Sequence, residues 1–343
     1  MNNLRSRIFL FLLVVVAVVL VGCGAPSKED VMKKLSGKWN DTKGYELQAT
    51  MEIKTGSEPR LYDVDVWHTK PDFYRVHVTQ EGKDDSQMIV RNKEGVFVVT
   101  PSLGKTYKFQ SDWPEQNSQA YLIGALSEDI KADKNATMQE EEKEYVFETV
   151  TRNNHKKVLP TQQIHIDKKT LLPKYVSVLD ENKEEQIRIT FKKVTLGTER
   201  KAADYDVEIT TEEPKATEET KTEPEVEDAP ATDDKTGFEA YYPSIKWEGV
   251  TLTDEAEVGT RSFMTFGGEK EFTIVQEQAV RPDNQMPVSI EGDPVDLGFA
   301  VAALTDNSIR WESNGVAFFI ASEMLSKDEM IEVATSMAPG EMK

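Results

Sequence analysis

The chain has 343 residues, with 61 acidic side chains against 41 basic ones and a formal net charge of −20. That balance argues against nucleic acid as a partner and against adsorption to anionic lipid headgroups, because both require basic patches. The single cysteine, Cys23, excludes an internal disulfide and a multi-thiolate metal centre, so stability must come from core packing.

Arg5 and Arg7 precede an uninterrupted apolar run over 8–21. Its 14 residues fall short of the roughly 20 needed to span a bilayer, which points to a cleaved export signal rather than a permanent span. Leu20-Val21-Gly22-Cys23 closes this run and resembles the lipobox of bacterial lipoproteins at every position. The resemblance implies cleavage after Gly22, acylation of Cys23 and a mature body held at the extracytoplasmic face of the cell membrane. Two or more acyl chains would make that hold stable, since a single chain binds only marginally. An ordinary signal with a coincidental cysteine is the alternative. The expected segments are thus a signal peptide over 1–22 and a lipidated tether over 23–27.

Ser27-Lys28-Glu29-Asp30 marks a helix start, with acids in the first turn. Val31, Leu35 and Trp39 follow on one helical face, and the helix is expected to end near Gly44. Beyond it the period becomes two. Leu47, Ala49, Met51 and Ile53 alternate with polar neighbours, as do Tyr62, Val64 and Val66, then Tyr74, Val76 and Val78. Further strands are predicted at 88–91, 95–100, 105–109, 145–150, 162–167, 174–179, 186–194 and 205–210. A helix over 115–130, with Tyr121, Leu122, Ala125 and Leu126 on its apolar stripe, interrupts the series. Many short half-buried strands joined by polar turns describe an antiparallel sheet with one apolar face, here over 28–211.

Residues 212–235 hold three prolines, no aromatic residue and only Val226 as a sizeable apolar side chain. Such a stretch buries too little to offset chain entropy and is expected to be an acidic disordered linker. The 236–343 stretch is expected to form a small α+β domain. Asn314-Gly315 predicts a type I′ hairpin that sets Trp311 opposite Phe318 and Ile309 opposite Ile320. Ser326-Lys327-Asp328-Glu329 matches a capping box that starts a helix running to about Met337.

The apolar face of so large a sheet is either a packed core or, if the sheet curls under the two helices, the wall of a cavity. Tyr62, Val64, Val66, Tyr74, Val76, Val78, Val96 and Val98 are the candidate lining. A one-residue slip would invert that assignment.

The run from Val66-Trp67-His68-Thr69-Lys70-Pro71 into Asp72-Phe73-Tyr74-Arg75-Val76 resembles the lipoprotein-carrier family typified by LolA and LolB. So do residues 89–99, Thr100-Pro101, Lys105-Thr106-Tyr107, Ile164-His165-Ile166-Asp167 and Leu171-Leu172-Pro173-Lys174. The resemblance covers about residues 28–210. It implies an unclosed antiparallel half-barrel with a helical lid and a cavity for an acyl chain or a lipoprotein. Lys70 matches the family's basic residue before the proline, although Lys lacks the planar fork of the carrier's Arg. Lipid-anchored proteins of this kind occur in Gram-positive spore-formers and are linked to sporulation and germination. The stretch 292–337 resembles a module of unknown function in extracytoplasmic proteins of such bacteria.

Neither a Gly-x-Ser-x-Gly elbow, nor a His-Glu-x-x-His pair, nor a phosphate-cradling glycine loop occurs. His68 is in phase with Val66 and His77 out of phase with Val76, which places them on opposite faces and argues against a shared metal. His155 and His165 complete the histidines. The sequence therefore predicts a non-enzymatic, membrane-tethered binding protein with no metal and no cofactor. The alternative is a structural or regulatory partner of an envelope enzyme that acts on the cell wall.

Overall fold

The computed structural model describes residues 26–54, 59–83, 86–110, 113, 119–152, 156–207, 239–280 and 286–339. The expected signal peptide, Cys23, the linker over 212–235 and His155 lie outside the described residues.

Helix α1 (Lys28–Asn40) begins where Ser27 caps it, its hydroxyl accepting from Asp30 N. It ends at Asn40, four residues before the predicted Gly44. Strands β1 (Gly44–Ile53), β2 (Arg60–Thr69), β3 (Phe73–Gln80), β4 (Ser86–Asn92), β5 (Gly95–Thr100) and β6 (Lys105–Phe109) follow as an antiparallel meander. Helix α2 (Ile123–Ala132) separates them from β7 (Thr137–Glu140), β8 (Glu144–Val150), β9 (Thr161–Asp167), β10 (Pro173–Leu179) and β11 (Glu185–Leu196). Strand β11 returns to pair with β1 and joins both runs into one sheet.

Beyond residue 238 come β12 (Tyr241–Pro243), β13 (Val250–Val258), β14 (Arg261–Gly268), β15 (Phe272–Gln278), β16 (Val288–Ser289), β17 (Asp293–Asp296), β18 (Val301–Leu304), β19 (Ser308–Ser313) and β20 (Val316–Ala321). Helix α3 (Lys327–Ser336) and β21 (Met337–Pro339) complete the fold. A second sheet runs β13-β14-β15-β20-β19-β18-β17. Strand β16 leaves that sheet and pairs in parallel with β6, Val288 opposite Tyr107. The first sheet therefore has twelve strands, β7 at one end and β16 at the other, and does not close. The architecture is mainly β, an unclosed half-barrel with helices across its concave face and an α+β C-terminal part.

The concave face is set by register. Leu47, Val66, Val76, Ile89, Val98 and Tyr107 stand opposite one another across six strands and so share one face. From α1, Val31, Leu35 and Trp39 pack on it; from α2, Ile123, Leu126 and Ile130 do. Trp39 also donates Nε1–H to Leu171 O at 2.8 Å. The C-terminal part reaches into the same core through Ala303, with Ile290, Phe299 and Val301 packed against it.

Two elements depart from expectation. Where the sequence predicts a strand from 205, a 3₁₀ turn runs over Ala202–Tyr205, and residues 208–210 of that predicted strand lie outside the described residues. Tyr205 is buried with Val90 and Phe97 and bonds Thr69 Oγ1 at 2.8 Å, so tertiary packing overrides its strand propensity. The middle helix starts at Ile123 rather than 115; residues 115–118 lie outside the described residues.

The hairpin forms as predicted. Asn314 and Gly315 both take positive φ, 52° and 74°, as a type I′ turn demands. Ile309 opposes Ile320, and Trp311 opposes Phe318 with ring centroids 4.7 Å apart. The capping box also forms: Glu329 N–H donates to Ser326 Oγ, and Ser326 N–H donates to Glu329 Oε2 at 2.8 Å.

Lys270 donates to Glu329 Oε1 at 2.5 Å. That bond, opposed by burial and helped by Ser326, brings the Glu329 carboxyl down to about 2. A depressed carboxylate adds stability above its unfolded value of 4.5 and loses it as pH falls through about 2. Thermal melts of wild type should therefore lose stability between those limits, and the loss should be shallower in Glu329→Gln. Parallel wild-type and variant slopes would contradict the assignment.

Candidate functional site

The predicted lining residues converge on one face, and most of them lie inside the core rather than around a hollow. Val64, Val66, Val76, Val96 and Val98 are at most 2 % exposed, and Tyr62 is buried beside them. Tyr74 and Val78 are half-buried against the same cluster. Lys70 is exposed and donates to Asn40 O at the end of α1. The two helices, with Ile290, Phe299, Val301 and Ala303, occupy the concavity that the sequence left open.

Open space lies instead at the rim, between the half-barrel and the C-terminal part. A cleft of about 950 Å³ has Ile53, Leu61, Leu159 and Ile187 on one side and Leu297 and Phe299 on the other. Arg60 lies over the Phe299 ring at 4.8 Å. Lys54 pairs with Glu185 at 2.9 Å, and Lys83 donates to Asn314 Oδ1 at 2.8 Å. Burial raises the Glu185 carboxyl, but Arg188, Ser177 and Lys54 outweigh it and bring it down to about 2. The rim is therefore charged and the floor apolar, the arrangement of sites that hold a guest with a greasy body and a polar end. Leu61 and Leu159 carry no motif; Leu61 is out of phase with the inward residues of β2, the one trace it leaves in the sequence.

A second opening of about 510 Å³ lies between the β5–β6 edge and the outer face of the second sheet. Glu312 is central to it. Its Oε1 accepts from Lys105 Nζ and from the Tyr107 hydroxyl, the latter at 3.1 Å. Burial, reinforced by the Glu312 charge and opposed by Arg310, pushes the Tyr107 hydroxyl well above its ordinary range, so it stays a donor.

The helical cover is pinned by a buried acid. Asp129 on α2 has a fully buried side chain, takes Arg152 Nε at 2.6 Å and accepts from Gln162 Nε2 at 2.7 Å. Asp133, one turn on, accepts from Val150 N–H at 2.9 Å and from Thr149 Oγ1 at 3.1 Å.

His68 and His77 lie on the neighbouring strands β2 and β3. His68 sets Nδ1 3.0 Å from Phe73 O and stacks on Tyr74 with centroids 4.2 Å apart; burial lowers its pKa. Burial likewise lowers His77, against the pull of Asp65. His165 bonds Glu144 at 2.9 Å. Among the described residues no group of three His, Cys, Asp or Glu could hold a metal ion, and no helix is long and apolar enough to cross a membrane.

Comparison with known proteins gives three findings. The model of the sporulation protein YdcC-like family matches residues 4–199. Sporulation protein YdcC of Bacillus subtilis (strain 168) is 37% identical over 342 residues, 98% of each chain. Among solved structures, the MucA/MucB complex of Pseudomonas aeruginosa aligns at 14% identity and TM-score 0.34, over 91% of this chain and 100% of that one. A LolA superfamily protein from Nitrosomonas europaea aligns at 8% identity and TM-score 0.31, over 53% of this chain and 99% of that one.

Proposed function

The chain belongs to the YdcC-like sporulation protein family, and from that premise we propose that it is a membrane-anchored, non-enzymatic binding protein of the cell envelope. Lipid on Cys23 holds it at the extracytoplasmic face of the cell membrane. The rim cleft accepts an acyl chain, either of a free lipid or of a lipoprotein.

One observation carries this reading: about 950 Å³ of space whose apolar floor comes from both parts of the chain. That volume falls within the roughly 300–1,000 Å³ of small-molecule sites. The polar ends of Lys54, Arg60 and Lys83 ring it, where an anionic headgroup would sit.

The test uses a diazirine-bearing fatty acid photolysed in membranes of sporulating cells, with labelled peptides mapped by mass spectrometry. Label is expected on peptides carrying Leu61 and Leu159. Leu61 is 42 % exposed, so Leu61→Glu should fold normally and lose at least tenfold of the label. Label that avoids these peptides would overturn the acyl reading and favour a scaffold for a cell-wall enzyme. Intact mass of the mature chain, with Cys23→Ala as control, checks the anchor independently.

A further inference from the structure

The opening around Glu312 is separate from the rim cleft in its floor and in its chemistry. Glu312 sits on β19, and its side chain is only 9 % exposed. Lys105 and Tyr107 both bind Oε1. The other oxygen, Oε2, is buried and has no hydrogen-bond partner among the described residues. A buried carboxylate oxygen without a donor is costly, and such a group in a native fold demands an explanation.

Arg310 lies two residues earlier on the same strand, so it projects on the same face about 6–7 Å away. Its guanidinium lies over the Phe319 ring at 5.6 Å, and among the described residues it has no carboxylate within ion-pair distance. The other charges of the groove are matched: Lys105 with Glu312, and Arg261 with Glu277 at 2.6 Å. What is left over is one cation and one acceptor, side by side. Val98, Val275, Ile290 and Phe319 provide an apolar wall beside them.

We propose that this groove binds a small zwitterion, an α-amino acid or a short peptide, with its ammonium on Glu312 Oε2, its carboxylate on Arg310 and an apolar side chain against Val275 and Phe319. Each simpler ligand fails on one count. A fatty acid satisfies Arg310 but leaves Glu312 Oε2 without a donor. A monoamine supplies that donor but leaves Arg310 without a carboxylate. A zwitterion supplies both, and an α-amino acid holds the two groups on one carbon. A volume of about 510 Å³ leaves room for a dipeptide.

Calorimetry on the full chain in detergent micelles tests this with leucine and alanyl-leucine. N-acetyl-leucine lacks the ammonium, and leucinamide lacks the carboxylate. Leucine or the dipeptide should bind, and each blocked form should bind at least tenfold more weakly. Arg310→Gln should weaken leucine at least tenfold and leave leucinamide unchanged. Glu312→Gln should weaken leucine similarly; should its loss of Lys105 unfold the chain, Arg310→Gln and the blocked ligands decide. No binding at millimolar leucine or dipeptide, or equal binding of the blocked forms, overturns the proposal. Neither result bears on labelling of the rim cleft.

Discussion

Val66→Asp is expected to abolish folding. Val66 is fully buried at the middle of the row that runs from Leu47 to Tyr107, beneath α1 and α2. No cation stands opposite it; its cross-strand neighbours are Leu47 and Val76. Placing a carboxylate there costs at least several kcal/mol, whether it stays charged or takes up a proton. A typical domain has only about 5–15 kcal/mol to lose. Soluble yield and near-ultraviolet circular dichroism measure the outcome. The substitution also discriminates between a hollow and a filled concavity. A hollow wall would let the carboxylate meet water, and a folded Val66→Asp protein would show that the interior is not packed as described. Leu61→Asp, on the rim of the same strand, is the tolerated control.

Asp129→Ala is expected to cost about 3 kcal/mol, the low end for breaking a buried pair. The substitution strands Gln162 in the core and removes the Arg152 ion pair, though Arg152 is 39% exposed and can turn to water. The effect should be local before it is global. Amides of α2 should exchange with deuterium faster than those of β1 and β2, since α2 loses its tie to β9 while the central ladder is intact. Asp129→Asn should recover part of the loss, because it keeps the volume and one acceptor. A denaturant midpoint indistinguishable from wild type would show that α2 is held by its apolar contacts alone.

Much of the architecture is legible in the sequence, for reasons that differ by element. Strict alternation in β1, β2 and β3 fixes both strand and face, and the register puts Tyr62, Val64, Val66, Val76 and Val78 where the pattern places them. Asn314-Gly315 and the Ser326–Glu329 box are local chemistry, complete within four residues, so distance in the chain does not blur them. The filling of the concavity is not local. It depends on Ala303, Phe299 and Val301 arriving from about a hundred residues further along the chain, and no periodicity in 28–211 announces them. Strand β16 is two residues long, Val288 and Ser289, too short to show an alternation. The rim cleft is hidden for a related reason. Its walls come from strand ends and loops of both parts, where Leu61 and Leu159 resemble any other apolar residue. Glu312 and Arg310 look like ordinary charges on a strand; only the crowding of Lys105 and Tyr107 onto one oxygen distinguishes them.

The parallel pairing of Val288 with Tyr107 has a consequence for the order in which the molecule can be completed. Some two hundred residues of half-barrel are synthesised before the segment that seals the outer side of β6 exists. Until then that margin offers unused N–H and C=O groups, a template on which a neighbouring copy can dock its own strand. A fragment ending near Val207 should therefore exchange strands or aggregate more readily than the whole chain. The C-terminal part thus acts as a late-arriving guard on its own N-terminal half.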